Sequence, residues 1–237
     1  MSTGRSCNEA HFREADARLR DTYPSTRLGN KEDPLDELIF VILSGKTQES
    51  TYCATFQALK ERYPSWSEAH EASPEEIEAV IRFGGLAKKK SLAISRLLSA
   101  ISERVGRVDL SWLMTLDDRT AYDFLCGLPG VGPKTARCVL VYSLNRPVFA
   151  VDTHVARIMY RLGCSRHRRL TDRVQERIEA LVPPDIRFSL HVNLVLHGRS
   201  ICTAQWPQCG ACVLADLCPS AFMVDSRKEE PSDASKR

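Results

Sequence analysis

The segment LPGVGPK at residues 128–134 places a glycine-rich turn directly before an apolar, helix-like run. Gly130 and Gly132 carry no side chain and can adopt positive φ, so backbone N–H groups around Val131 can face an anion at the start of the next helix. Such a turn holds nucleic-acid phosphates without reading the base sequence. The same pattern also connects helices that bind nothing, and the motif alone leaves both interpretations open.

Lys134 lies in the first turn of that expected helix. The positive end of the helix dipole disfavours an ammonium group there, and partial burial of the side chain lowers its pKa further. A neutral lysine amine is a nucleophile that attacks carbon electrophiles. The alternative is an exposed lysine, or one that only neutralises a phosphate.

Asp152 occurs in the segment FAVDTH, at the expected N-cap of a helix that begins at Thr153. N-capping hydrogen bonds and the helix dipole favour the ionised carboxylate. Most aspartates at such positions only cap the helix, and catalysis is the alternative. His154, just inside the helix, is predicted to be structural.

Four cysteines lie within seventeen residues near the end of the chain, with the spacing C-x6-C-x2-C-x5-C: Cys202, Cys209, Cys212 and Cys218. Thiolates this close can surround one tetrahedral ion or one cluster, whereas two disulfides in so short a loop are strained. The spacing predicts a metal site but does not separate zinc from iron–sulfur. The remaining cysteines are predicted to be reduced, most of them as small core residues: Cys7, Cys53, Cys126, Cys138 and Cys164.

Apolar residues recur at helical spacing along most of the chain, and no sustained alternation indicates a strand, so the fold is predicted to be all-α. Asp33-Pro34 is a helix start, and Ser73 with Glu76 forms a capping box. Further helices are expected over 87–105, 119–126, 133–144, 153–162, 172–181 and 185–198.

The composition of the 237 residues, with 43% hydrophobic and 27% charged, is that of a globular protein with one large or two small domains. There is no apolar signal core and no membrane-length apolar stretch, which predicts an intracellular protein, cytoplasmic or nucleoid-associated. The net charge of +3 names no partner. Six arginines between 156 and 173 indicate either polyanion binding or a solvated helix face: Arg157, Arg161, Arg166, Arg168, Arg169 and Arg173.

Four ordered motifs together resemble endonuclease III, of the helix–hairpin–helix DNA glycosylase superfamily: LPGVGPKTA, the VDTH segment, LHGR at 196–199 and the four-cysteine spacing. The resemblance covers roughly residues 12–220. It implies a six-helix barrel over 33–146 with the helix–hairpin–helix, an iron–sulfur cluster domain formed by 1–32 and 147–221, and a disordered tail over 222–237. It also implies a [4Fe–4S] cluster on the four cysteines, and a monomer that binds double-stranded DNA containing damaged bases or abasic sites.

Lys134 matches the nucleophile of this family, and Asp152 matches its catalytic acid. The resemblance implies a bifunctional DNA glycosylase and abasic-site lyase that removes oxidised pyrimidines in base excision repair, through a Schiff base and β-elimination. Two alternatives remain: a monofunctional glycosylase that uses water activated by Asp152, and an iron–sulfur protein that binds damage without processing it.

Two DNA contacts are expected from the resemblance, and the first of them departs from the family pattern. Lys46 stands where a glutamine usually fills the gap left by the flipped base, and lysine offers only donors. Leu86 matches the residue that wedges into the duplex, although a core leucine at a helix start is the alternative. Pro133 removes one N–H from the hairpin. The opposite-base preference and the range of lesions are therefore expected to differ.

Overall fold

The computed structural model describes residues 7–23, 28–166 and 171–223. These residues form eleven α-helices and no strand, which confirms the all-α prediction. The chain divides into two compact units, one comprising Met1–Thr26 with Pro147–Arg237 and the other Arg27–Arg146. In the described ranges, no helix combines the length and apolarity that a membrane crossing requires.

The unit Arg27–Arg146, here the hairpin unit, contains seven of the helices: α2 Pro34–Ser44, α3 Glu49–Arg62, α4 Trp66–Glu71, α5 Pro74–Ile81, α6 Ala87–Val105, α7 Asp118–Cys126 and α8 Pro133–Tyr142. Both helix starts expected from the sequence are present. Asp33 accepts hydrogen bonds from two N–H groups of the first turn of α2, and Ser73 forms the capping box with Glu76. These caps satisfy backbone donors that have no partner within the helix.

The core of the hairpin unit lies where α2 packs against α3 and α8, and where α5 packs against α6. Its centre is aliphatic and fully buried, with Leu38, Ile39, Ile77, Ile94 and Leu97 all at 0% exposure. Each such side chain stabilises the fold by about 1.5–3 kcal/mol relative to an exposed position. The amphipathic pattern of α6 is thus the pattern of a packed helix.

The other unit, here the cluster unit, contains α1 Glu9–Thr22, α9 Thr153–Arg161, α10 Asp172–Leu181 and α11 Arg187–Ser200. Both α1 and α9 pack against α11, which is buried over most of its length. Gly198 lies at the contact with α9, where a Cβ atom would be 2.8 Å from Cβ of His154. The glycine of the LHGR motif is therefore required for this close helix packing.

A disulfide joins Cys7, just before α1, to Cys164, just after α9, with the two Cα atoms 5.2 Å apart. The expectation that both are reduced cysteines is wrong. The two positions are separated by 157 residues and meet only through the packing of the cluster unit, which spacing along the chain does not show. Of the five scattered cysteines only Cys138 is buried, so the expectation that most of them are core residues is wrong.

Candidate nucleic-acid interface and metal centre

The hairpin between α7 and α8 is closed by short backbone hydrogen bonds. The N–H of Val131 donates to the carbonyl of Leu128 at 3.2 Å, at the centre of the turn. Gly130 has φ 78°, in the left-handed region, as expected. Gly132 has φ −95° and ψ 174°, so the expectation of positive φ is wrong there, because this residue is the extended N-cap of α8.

Only part of the expected phosphate-binding backbone faces outward. Val131 is buried, and its N–H is used inside the turn. Within the described chain, the N–H groups of Gly130 and Gly132 donate to no other residue, and a Cβ at either position would meet nothing within 4 Å. The two glycines therefore form the open side of the hairpin, with space for an anion.

Lys134 is the second residue of α8, after Pro133, and its side chain is half-buried. Gly132 provides no capping side chain, and the first turn of α8 contains no acid. The positive end of this helix is therefore not neutralised by a carboxylate of its own.

Glu37 of α2 has a buried carboxyl group that interacts electrostatically with Lys134. One carboxyl oxygen accepts the N–H of Lys31 at 2.8 Å, and the other accepts the side-chain amide of Asn30. Burial raises the pKa of Glu37 to about 7, against the opposing effect of these hydrogen bonds and of Lys134. The sequence analysis missed this residue, whose signal was a glutamate among the apolar residues of α2.

Asp152 is the N-cap of α9, as predicted. Its Oδ1 accepts the N–H of Val155 at 2.8 Å, and the side chain is half-buried. One carboxylate oxygen is thereby engaged by the helix. The carboxylate retains a second oxygen and lies at the positive end of α9.

Lys46 and Leu86, the two expected duplex contacts, share an unusual backbone conformation, with φ 52° and 54°. Leu86 is 53% exposed, so the alternative of a core leucine is wrong. Phe83, which the sequence analysis missed, is 57% exposed in the preceding 3₁₀ turn. Gly84 of that turn packs so tightly that a Cβ would lie 2.6 Å from Oγ1 of Thr55.

All four clustered cysteines line one cavity, together with Arg161 and residues of the surrounding loop. Burial raises the pKa of Cys212 to about 11 and also raises the pKa of Cys218, and the neighbouring thiolates add to both effects. Four thiolates side by side therefore need a positively charged group between them. This donor set fits one iron–sulfur cluster or one metal ion.

Two arginines of α9 hold the loop that carries these cysteines. The buried Arg161 donates to Sγ of Cys202 at 3.2 Å and to the carbonyl of Thr203 at 2.6 Å. Arg157 donates to the carbonyl of Cys202 at 3.0 Å. These side chains therefore do not form a polyanion surface; in the same basic segment, Arg166 and Arg173 are exposed, and Arg168 and Arg169 lie outside the described residues.

His197 of the LHGR motif connects α11 to the cysteine loop. Its Nε2 lies 3.2 Å from Sγ of Cys212, and its Nδ1 lies 3.1 Å from the hydroxyl of Tyr23, directly after α1. Burial lowers the pKa of His197 to about 4, so the ring is neutral at physiological pH. The motif thus supplies a neutral hydrogen-bonding group beside the cysteines.

The helix–hairpin–helix and the four-cysteine loop define a class of DNA repair proteins. Residues 39–184 match the profile of the HhH-GPD superfamily base excision DNA repair proteins, and residues 202–218 match the iron-sulfur binding domain of endonuclease III. Endonuclease III of Escherichia coli K12 is 32% identical over 224 residues, which are 92% of this chain and 99% of that protein. A plant relative, from Arabidopsis thaliana, is 35% identical over 173 residues, or 73% of this chain and 59% of that protein.

Two solved structures are also similar, each with a TM-score of 0.78 and 27% identity over 93% of this chain. One is a non-covalent endonuclease III–DNA complex, of which 97% is covered, and the other is a trapped endonuclease III–DNA covalent intermediate, of which 98% is covered. The chain belongs to the endonuclease III family, as its motifs indicate. It is a DNA glycosylase of base excision repair and carries a [4Fe–4S] cluster.

Proposed function

We propose that this glycosylase is bifunctional: it removes oxidised pyrimidines from double-stranded DNA and then cleaves the strand at the abasic site, with Lys134 as the nucleophile. The observation that carries the proposal is the position of Lys134, half-buried in an acid-free first turn directly behind the open backbone of Gly130 and Gly132. A hairpin that binds the DNA backbone brings this amine to the sugar beside the bound phosphate.

The reaction begins when the neutral amine of Lys134 attacks C1′ of a nucleotide flipped out of the duplex. The bond from C1′ to the base breaks, and the base leaves with a proton. Ring opening gives an imine between Nζ and C1′. Loss of a proton from C2′ then breaks the C3′–O bond, which cuts the strand, and the phosphate leaves as the 5′-phosphate end of the downstream fragment. Hydrolysis of the imine returns the lysine.

Asp152 is proposed to accept the proton of Lys134 and to stabilise the positive charge that develops on the sugar. Its capping bond from Val155 holds the carboxylate in one orientation while the other oxygen is available. The trapped covalent intermediate of the similar endonuclease III structure supports a covalent route in this chain.

The ligands of the [4Fe–4S] cluster are proposed to be the four cysteines of the cavity, Cys202, Cys209, Cys212 and Cys218. These cysteines would hold the cluster and so would fix the loop that carries them. Arg161 donates a hydrogen bond to Sγ of Cys202, and its positive charge offsets the negative charge of the thiolates. The protein is proposed to act as a monomer.

Borohydride trapping on a duplex with a single abasic site tests the lyase step, because reduction converts the imine into a stable crosslink that a denaturing gel resolves. Wild type is expected to crosslink, Lys134→Ala to give none, and Asp152→Asn to crosslink at least about a hundredfold more slowly. Lys89→Ala, at an exposed lysine of α6, is the matched control. Wild type that binds the duplex without crosslinking would overturn the lyase proposal.

The substrate range is tested separately, on duplexes that carry thymine glycol, 5-hydroxycytosine or 8-oxoguanine opposite each normal base. The proposal predicts base release from the two oxidised pyrimidines. Release from the oxidised purine alone would contradict it, whatever the outcome of trapping.

A further inference from the structure

Lys90 is a buried lysine near the start of α6, only 5% exposed. Its Nζ donates to the carbonyl of Leu43 at 2.6 Å, to Oγ1 of Thr47 at 2.5 Å and to the carbonyl of Gly84 at 3.3 Å. An ammonium group has three donors, so all of its hydrogen-bonding capacity is used. Burial lowers the pKa of Lys90, and none of its three acceptors within the described residues is a carboxylate.

These three acceptors belong to two separate segments. Leu43 and Thr47 flank the turn after α2 that carries Lys46, whereas Gly84 belongs to the turn before α6 that carries Leu86. Oγ1 of Thr47 lies 3.1 Å from the carbonyl of Gly45 in its own turn and 3.3 Å from the carbonyl of Gly84, so the hydroxyl that accepts from Lys90 also contacts both turns. The link is entirely within the hairpin unit.

Both turns are held in a conformation that their residues do not favour. Lys46 and Leu86 are two of the four non-glycine residues with positive φ in the described chain. The left-handed region is unfavourable for a residue with a Cβ, so each turn needs surrounding contacts to hold it. The side chains of both residues are exposed at the end of these turns.

We propose that Lys90 is a positioning residue that fixes the Lys46 turn and the Leu86 turn as one preformed edge for insertion into the duplex. The inference rests on the proposed function, because it assigns both turns to the DNA. A preformed edge does not have to be ordered during binding, so more of the binding free energy remains available for unstacking the damaged nucleotide.

The proposal separates substrates that require insertion from those that do not. An abasic site in a duplex must be opened, whereas the same site in single-stranded DNA is already unstacked. Borohydride trapping at saturating protein is therefore measured on both DNAs. The orphaned base of the duplex is replaced by 2-aminopurine, whose fluorescence rises when it is unstacked.

Three variants carry the test. Lys90→Met keeps most of the length of the side chain and removes its donors. This variant is expected to trap duplex DNA about tenfold more slowly, as for the loss of a charge-assisted hydrogen bond. Thr47→Val removes the bridging hydroxyl without altering Lys90, and Thr47→Ser restores it. Lys89→Met removes one exposed positive charge from the same helix as the control.

The expected result is a selective loss on the duplex. Lys90→Met and Thr47→Val should lose duplex trapping and the 2-aminopurine signal, while their single-strand trapping stays within about twofold of wild type. Thr47→Ser should recover duplex trapping and the 2-aminopurine signal. Equal losses on both DNAs, or no loss on either, would overturn the positioning role. If thermal melting shows that Lys90→Met does not fold, the comparison of Thr47→Val with Thr47→Ser on the same two DNAs tests the positioning role. Failure of wild type to trap either DNA would instead overturn the proposed function.

Discussion

Glu37 links the stability of the hairpin unit to pH at the scale of a single residue. Burial raises its pKa from 4.5 to about 7, so the folded protein binds a proton more tightly than the unfolded chain. The stability that this proton contributes is fully present below about pH 4.5 and is lost as the pH rises through about 7. The ionised carboxylate is then held in the core by only its two hydrogen bonds and by nearby lysines.

Glu37→Gln is expected to remove this pH dependence, because the amide keeps the acceptor for Lys31 and does not titrate. Relative to the variant, wild type should lose about 2 to 3 kcal/mol of unfolding free energy between pH 5 and pH 8. Urea unfolding at both pH values measures this difference. Glu75→Gln, at an exposed glutamate of α5, is the control and should follow wild type. Parallel pH profiles for wild type and Glu37→Gln would contradict the expectation.

Arg161 donates hydrogen bonds to three consecutive residues of the cysteine loop. Arg161→Met should leave the carbonyls of Thr203 and Ala204 without this donor and remove the donor to Sγ of Cys202. We expect cluster loss under a chelator to become about tenfold faster, as for the loss of a charge-assisted hydrogen bond. The decay of the visible cluster absorbance and the iron content measure it. Arg166→Met, at an exposed arginine, should decay like wild type, and equal rates for both variants would refute this role.

At the scale of elements, glycines decide how closely helices and turns approach. The two glycines of the helix–hairpin–helix leave a backbone open to an anion, whereas Gly198 and Gly84 lie against neighbouring side chains. The first pair is proposed to serve a ligand, and the second pair serves packing. Adding a methyl group should therefore have different effects at the two kinds of site.

Gly198→Ala is expected to destabilise the cluster unit by about 1–3 kcal/mol, because the new Cβ would lie 2.8 Å from Cβ of His154 and 3.1 Å from the guanidinium of Arg157. Thermal unfolding followed by circular dichroism measures the effect. Gly132→Ala, where nothing lies within 4 Å, should cost no more than the about 1 kcal/mol of a weakened N-cap. A Gly198→Ala protein as stable as wild type would show that α9 and α11 do not pack so closely.

At the scale of the whole molecule, local signals predicted more than long-range ones. Helices were predicted to begin at Pro133, Thr153 and Asp172, and they do, because proline, N-cap and apolar period act within a few residues. Helices α3 and α4 were not predicted, since in α3 the apolar residues alternate irregularly with polar ones. Lys134 and Asp152 were predicted as site residues from their places beside helix starts, which the structure has, and their catalytic roles stay predictions. The roles of Lys90, Glu37 and Arg161 depend on partners that only the tertiary fold brings near, so no spacing reveals them.

The Cys7–Cys164 disulfide joins positions that are 157 residues apart in the sequence and so closes a long covalent loop. A crosslink over so long a separation restricts the unfolded chain strongly, and the expected stabilisation is about 2–4 kcal/mol. Cys7→Ser should therefore melt at a lower temperature than wild type without reductant, and the difference should disappear when a phosphine reductant is present. Alkylation before and after reduction, read by peptide mass spectrometry, checks the pairing directly. If Cys164 of the purified protein is alkylated without reduction, the two thiols are not joined, and the cluster unit is held by packing and by its cluster alone.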